Sequence, residues 1–276
     1  MSQHLIQHQV QHQTQQRAQP QALFSLADKV ALITGAANGI GRAIAWQMAH
    51  AGAHVLLSDI DSAGGSALAA EMTAAGYAVA IFPCDMGSRS EIQTLSSEAL
   101  AAFGEIDILV CNAGVAPHAG PIASASDRDY ELTMEINLHS NLQLCNLLIP
   151  QMAARNNGSV IIMSSIAGVR GNKNIGLYGL SKAASAQLVR NLAVEWGPSN
   201  VRINSISPGV IDTAFAKPIS AQQVLAAKRI ALTPLRRFGQ VDDVAGVAVF
   251  LATPAAAFIT GQNLIVDGGT TIGDGN

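Results

Sequence analysis

The chain has 276 residues, 49% of them hydrophobic and only 13% charged, against roughly a quarter charged in an average globular domain. Such a sequence has ample apolar surface to bury, which excludes general disorder. Its 16 basic and 19 acidic residues leave a net charge of −3, so no basic field exists to gather a nucleic-acid backbone or an anionic membrane surface.

In chain order, the first 21 residues stand apart, with nine Gln, three His, one Arg and no acid. They lack the continuous apolar run of a secretory signal and the arginines of a mitochondrial presequence. His4, His8 and His12 fall at helical spacing that could hold a metal, but the Gln/His bias reads as a disordered tail over residues 1–25, and no metal site is expected. Residues 26–276 read as one domain. Cys84, Cys111 and Cys145 are odd in number and far apart, which excludes a fully paired disulfide framework and any C-x-x-C motif. A reducing compartment fits, and the expected location is the cytoplasm.

Short runs rich in Val and Ile recur at Val30 to Thr34, His54 to Ser58, Ala78 to Pro83, Ile108 to Asn112, Ser159 to Ser164, Arg202 to Ser207 and Asn263 to Val266. Runs of this kind are strands buried on both faces of a parallel sheet. Between them, Ile40 to Ala51, Ser62 to Ala75, Ser88 to Phe103, Arg128 to Arg155 and Tyr178 to Trp196 carry helix-period apolar positions. The alternation predicts an α/β fold, a doubly wound seven-stranded parallel sheet. Val244 to Ile265 is uncharged over 22 residues, long enough to span a bilayer on paper. Pro254 and Gly261 interrupt it, so helix, turn and strand is the expected reading.

The first strand runs into Thr34-Gly35-Ala36-Ala37-Asn38-Gly39-Ile40-Gly41 and then a helix. Glycines there let a pyrophosphate approach the backbone at a helix N-terminus. The second strand ends at Asp59, about twenty residues beyond the last glycine, where a carboxylate accepts both adenosine-ribose hydroxyls and repels a 2′-phosphate. No Arg or Lys precedes Gly41 in the loop or directly follows Asp59, so the expected cofactor is NAD rather than NADP. Downstream, Tyr178 and Lys182 lie four apart, on one face of a helix. A nearby ammonium favours a tyrosine's phenolate, which makes Tyr178 a candidate acid or base with Lys182 as its partner. The strand through Ile161 and Ile162 ends at Ser164-Ser165, thirteen residues before the tyrosine, and places a hydroxyl at the edge where such sheets bind ligands.

Taken together, these motifs, with Cys84-Asp85, Asn112-Ala113-Gly114, Asn137, Pro208-Gly209 and Asp267-Gly268-Gly269 in order, make the chain resemble the short-chain dehydrogenase/reductase family from Leu26 to Gly269. The resemblance implies a Rossmann-type fold and hydride transfer between a secondary alcohol or ketone and a nicotinamide. It implies catalytic roles for Asn137, Ser165, Tyr178 and Lys182, with Asn137 holding a water that links Lys182 to solvent. It implies cofactor contacts from Gly35, Asn38, Gly39, Ile40, Gly41, Asp59, Ile60, Asp85, Met86, Asn112, Ala113, Gly114, Tyr178, Lys182, Pro208, Gly209, Ile211 and Thr213. Thr213 to Arg237 is the expected substrate cover, and its apolar Phe215, Ile219, Val224, Leu225 and Ile230 favour a hydrophobic or alicyclic substrate. His118 is a candidate for the same pocket, with solvation the plainer reading. Two alternatives share these residues: a 3-oxoacyl carrier-protein reductase, against which Asp59 argues, and a non-catalytic dinucleotide sensor, which would not need the catalytic four. The two long sparsely charged helices and the C-terminal strand region pair subunits in the resembled family, so a homotetramer is expected.

Overall fold

The computed structural model describes residues 20–273; the three tail histidines lie outside them. A helical turn, α1 (Pro20–Leu23), precedes Leu26, which is buried in the core. Seven parallel strands follow: β1 (Val30–Thr34), β2 (His54–Ser58), β3 (Val79–Ile81), β4 (Ile108–Cys111), β5 (Gly158–Met163), β6 (Val201–Pro208) and β7 (Asn263–Val266), in spatial order β3-β2-β1-β4-β5-β6-β7. The chain therefore reverses its winding between β1 and β4. That reversal opens a crevice beyond the strand C-terminal ends, where open α/β sheets bind ligands.

Side chains alternate across each strand, so every apolar run feeds two cores. Ala31, Ile33, Val55 and Leu57 join one cluster, beneath α2 (Gly39–His50), α3 (Ser62–Ala74) and α10 (Val241–Ala252), the last of which follows the short α8 (Lys217–Ser220) and α9 (Gln223–Ala231). Val30, Leu32, Leu56 and Leu109 join the other, beneath α4 (Arg89–Phe103), α6 (Ser140–Ala154) and α7 (Gly176–Trp196). Cys111 and Cys145 lie buried as free thiols in the second cluster, packed as small hydrophobes. Among the described residues no helix is long and apolar enough to cross a membrane. The uncharged stretch divides between α10, the turn Pro254–Ala256 and β7.

Two expectations need correction. The outer strands are not buried on both faces: β3 is half-buried throughout and shorter than the run Ala78 to Pro83, and β7 is half-buried with Ile265 exposed. Both are edge strands, and Pro83 has no N–H to extend a ladder. Arg128 to Arg155 is not one uniform helix. A π-turn at Glu135–His139 separates α5 (Asp127–Met134) from α6, and Asn137 sits at its centre.

Candidate active site

Beyond β1 the chain turns at Gly35, whose φ of 63° is left-handed, and enters α2. A Cβ on Gly41 would stand 2.1 Å from the Gly35 carbonyl oxygen and 2.6 Å from Asn112 Nδ2. No side chain fits there, and the strand-to-helix turn is as tight as a pyrophosphate cradle requires. Asn112 Nδ2 donates to the carbonyls of Thr34 (3.1 Å) and Gly35 (3.0 Å), while Thr34 Oγ1 accepts from the Asn112 and Ala113 amides. These bonds tie the β1 and β4 ends across the crevice. One Asp59 oxygen accepts from the Ala37 amide at 2.9 Å and the other from the Asp61 amide at 2.9 Å. The carboxylate is thereby fixed beside the glycine turn, with lone pairs to spare for hydroxyls.

The other candidate contacts divide by position. Asn38 and Ile60 are exposed at the rim, and Gly39 and Ile40 are half-buried as α2 begins. Asp85 accepts from the Gly87 amide at 2.8 Å, while Met86 is buried. Pro208 ends β6; Gly209 packs so closely that a Cβ there would lie 2.8 Å from Asp267 Cα. Ile211 is buried, and the Thr213 methyl would be 3.4 Å from a Cβ on Gly39, so the start of the substrate cover meets the glycine turn. Gly35, Gly41, Asp59 and the Asn112 to Gly114 turn thus form a cradle whose shape and carboxylate fit a dinucleotide.

On the far side of the crevice, Gly168 and Gly179 let the loop after β5 lie directly on α7: a Cβ on Gly179 would be 2.6 Å from the Ala167 carbonyl oxygen. This contact brings Ser165 and Tyr178 together. Lys182, on the next turn, is only 3% exposed; its Nζ donates to the Met163 carbonyl at 2.8 Å and lies 5.6 Å from the Tyr178 ring centroid. Burial lowers its pKa to about 8. Burial raises the Tyr178 pKa to about 12, opposed by the neighbouring Ser165 hydroxyl. Burial thus moves the phenol in the direction opposite to the one expected from a neighbouring ammonium, and the ammonium is turned to a backbone carbonyl. Gly114 leaves room for that ammonium, since a Cβ there would be 3.3 Å from Nζ.

Asn137 is fully buried. Its Oδ1 accepts from the Val115 amide at 2.8 Å, and its Nδ2 donates to the Val115 carbonyl and to Ser181 Oγ. The Asn137 carbonyl, within the π-turn, takes bonds from Asn141 Nδ2 (2.7 Å) and Ser185 Oγ (3.1 Å). Both Nδ2 donors are thus spent inside the protein, and the residue couples the loop after β4 to α7. Sequence reasoning missed Ser181, Ser185 and Asn141 in this network; the available signal was polar side chains inside otherwise apolar helices. Phe215, from the substrate cover, stands 5.9 Å from the Tyr178 ring, centroid to centroid. His118 is half-buried and pairs through Nε2 with Ser124 Oγ at 3.0 Å, which organises its own loop.

A family model described as enoyl-(acyl carrier protein) reductase matches residues 35–271. The chain is 35% identical over 245 residues to "Dehydrogenase/reductase SDR family member 4" of Homo sapiens, spanning 89% of this chain and 88% of that one. A solved 7α-hydroxysteroid dehydrogenase complexed with NADH and 7-oxo glycochenodeoxycholic acid shares 37% identity and a TM-score of 0.86, covering 90% of this chain and 96% of that one. A gluconate 5-dehydrogenase from Burkholderia cenocepacia J2315, in complex with NADP and tartrate, shares 30% identity and a TM-score of 0.88, covering 92% and 99%. With a dinucleotide cradle at one side of the crevice and Ser165, Tyr178 and Lys182 at the other, the chain belongs to the short-chain dehydrogenase/reductase family of oxidoreductases.

Proposed function

We propose that the protein interconverts a secondary alcohol and a ketone with NAD as its preferred cofactor, and that residues 26–276 are the dinucleotide-binding and catalytic domain. When bound, the cofactor supplies or accepts a hydride at its nicotinamide C4. Ser165 orients the substrate oxygen by hydrogen bonding. Tyr178 gives that oxygen its hydroxyl proton in reduction and takes one back in oxidation. Like an ordinary tyrosine it is protonated at neutral pH and so starts reduction as the acid. Lys182 holds the nicotinamide ribose and stabilises the phenolate as it forms, while Asn137 positions Lys182 by fastening α7 to the loop after β4.

The observation that carries this reading is the buried Lys182 ammonium beside Tyr178. A charge in that place costs stability, and a non-catalytic sensor has no use for it. The expected substrate is hydrophobic or alicyclic on its reacting side, because Phe215 lines the approach to Tyr178.

Asp59 supports NAD over NADP. The loops after β1, β2 and β3 contribute Asp59, Asp61 and Asp85 and no Lys or Arg, an unfavourable setting for a 2′-phosphate. Asp59→Ala is expected to reduce the preference for NADH over NADPH at least about tenfold, since each charge-assisted hydrogen bond contributes roughly 1.5–3 kcal/mol. Dissociation constants for both dinucleotides check this, and an unchanged ratio overturns the assignment.

The three reduced cysteines fit the cytoplasm. A homotetramer is supported by apolar side chains left in solvent on the helices expected to pair, Val194 and Leu180 on α7 and Tyr130 and Leu132 on α5, and by Phe258 near β7. Sedimentation velocity is expected to show four subunits; a stable active monomer would contradict it.

A further inference from the structure

The connections that surround Tyr178 follow β4 (residues 112–126), β5 (164–175) and β6 (209–240). The second holds Arg170 and Lys173. The third holds Lys217, Lys228, Arg229, Arg236 and Arg237. Asp212 is the one acid in all three. Roughly a fifth of the chain thus carries seven of its 16 cations and one of its 19 acids, while the adenosine-side loops carry acids alone.

Little of this charge is cancelled internally. Arg237 is paired with Asp243, at 2.5 and 3.0 Å. Arg170 donates to the Thr270 carbonyl at 3.2 Å and Arg236 to the Ala231 carbonyl, contacts that leave the charge in place. Lys173, Lys217 and Lys228 are exposed and have no carboxylate within ion-pair distance among the described residues. Of the acids flanking these connections, Asp129 is engaged in the capping box that starts α5, Asp242 accepts from Gln47 Nε2 and Asp267 from the Gly269 and Thr271 amides, while Asp127 stands in the first turn of α5.

The same connections expose Ile122, Val169, Phe215, Val224 and Leu235. Exposed apolar side chains and unpaired cations thus share the same three connections, and one of these side chains, Phe215, lies next to Tyr178. A polar neutral polyol would gain nothing from the apolar surface, and a purely hydrophobic ketone nothing from the charge. A positive cleft with low-dielectric walls concentrates anions, and opposite charges on a ligand raise its encounter rate in a salt-dependent way.

We infer that the substrate is an anionic amphipath: an apolar ring or chain carries the reacting carbonyl, and a carboxylate or phosphate group lies on the side away from it. The inference rests on the oxidoreductase reading above and specifies its substrate. The test is steady-state kinetics with NADH on an ω-(4-oxocyclohexyl)alkanoate, a free carboxylate, and its methyl ester, and in a second arm on an ω-(4-oxocyclohexyl)alkyl phosphate monoester and its uncharged dimethyl ester. Each is measured at low and high ionic strength, with the wild type and with the Lys173→Glu/Lys217→Glu/Lys228→Glu variant. An anionic member is expected to have a kcat/KM at least about tenfold above its ester, mainly through KM, the size of a single favourable ionic contact. Salt should shrink that ratio and charge reversal abolish it, and the arm with the larger ratio identifies the anion. Equal turnover of anion and ester, or a ratio unmoved by salt and by the variant, overturns the inference while leaving hydride transfer standing. No turnover of any of the four compounds removes the proposed reaction on cyclic ketones and this inference with it.

Discussion

Tyr178→Phe is expected to lower kcat for ketone reduction by roughly two to four orders of magnitude, the range for losing a positioned general acid, with NADH affinity nearly unchanged. The ring stays, so its packing against Phe215 and the half-buried wall of the crevice survive. What disappears is the one hydroxyl set between Ser165 and the lysine-bearing turn of α7. An interaction made only in the transition state lowers kcat and kcat/KM together, so both constants should fall in parallel. Turnover close to wild type would show that another group supplies the proton and would remove Tyr178 from the mechanism.

Lys182→Met is expected to abolish most activity and at the same time to stabilise the cofactor-free protein at neutral pH. The amine titrates at about 8 in the folded chain against 10.5 for the ordinary group. Between those values the unfolded chain binds the extra proton, so stability rises with pH through that window. Below pH 8 the whole cost is present, on the order of 3 kcal/mol at 1.36 kcal/mol per unit. Methionine fills the space without a charge but deprives the Met163 carbonyl of its donor, which returns about 1 kcal/mol. The net gain of roughly 2 kcal/mol corresponds to several degrees in Tm for a domain of this size. Thermal unfolding at pH 7 and pH 10 checks it: the variant should melt higher at pH 7, and the gap should narrow at pH 10. A lower melting temperature at pH 7 would mean that the buried ammonium is not a cost, and that the stability argument against a sensor fails. Above pH 10, Tyr178 acts in the opposite sense, because its raised pKa makes ionisation in the unfolded chain the easier process; that contribution is common to both proteins.

Most of the fold was readable because local and tertiary demands agree. The strand-to-helix turn at Gly35 to Gly41 announces itself by spacing, since the contact that forbids a side chain at Gly41 lies within the same turn. The Tyr178 and Lys182 pair was readable because helix geometry alone puts them on one face. What stayed hidden depends on contacts distant in sequence. The π-turn around Asn137 is held by Ser185, 48 residues away, and no periodicity in its own helix encodes that partner. The electrostatics of Tyr178 are set by its burial, which the sequence proximity of a lysine does not record. The end strands looked like the central ones because apolar runs do not record which strand lies at a sheet edge.

The most direct measurement is transfer of deuterium from NADH carrying deuterium at both C4 positions to a cyclic ketone, read by mass spectrometry of the alcohol formed, with the matching NADPH in parallel. The expected result is deuterium on the carbinol carbon, formed faster with NADH than with NADPH. Tight NADH binding with no deuterium in any product would contradict hydride transfer at this site, and faster labelling from NADPH would contradict the role given to Asp59.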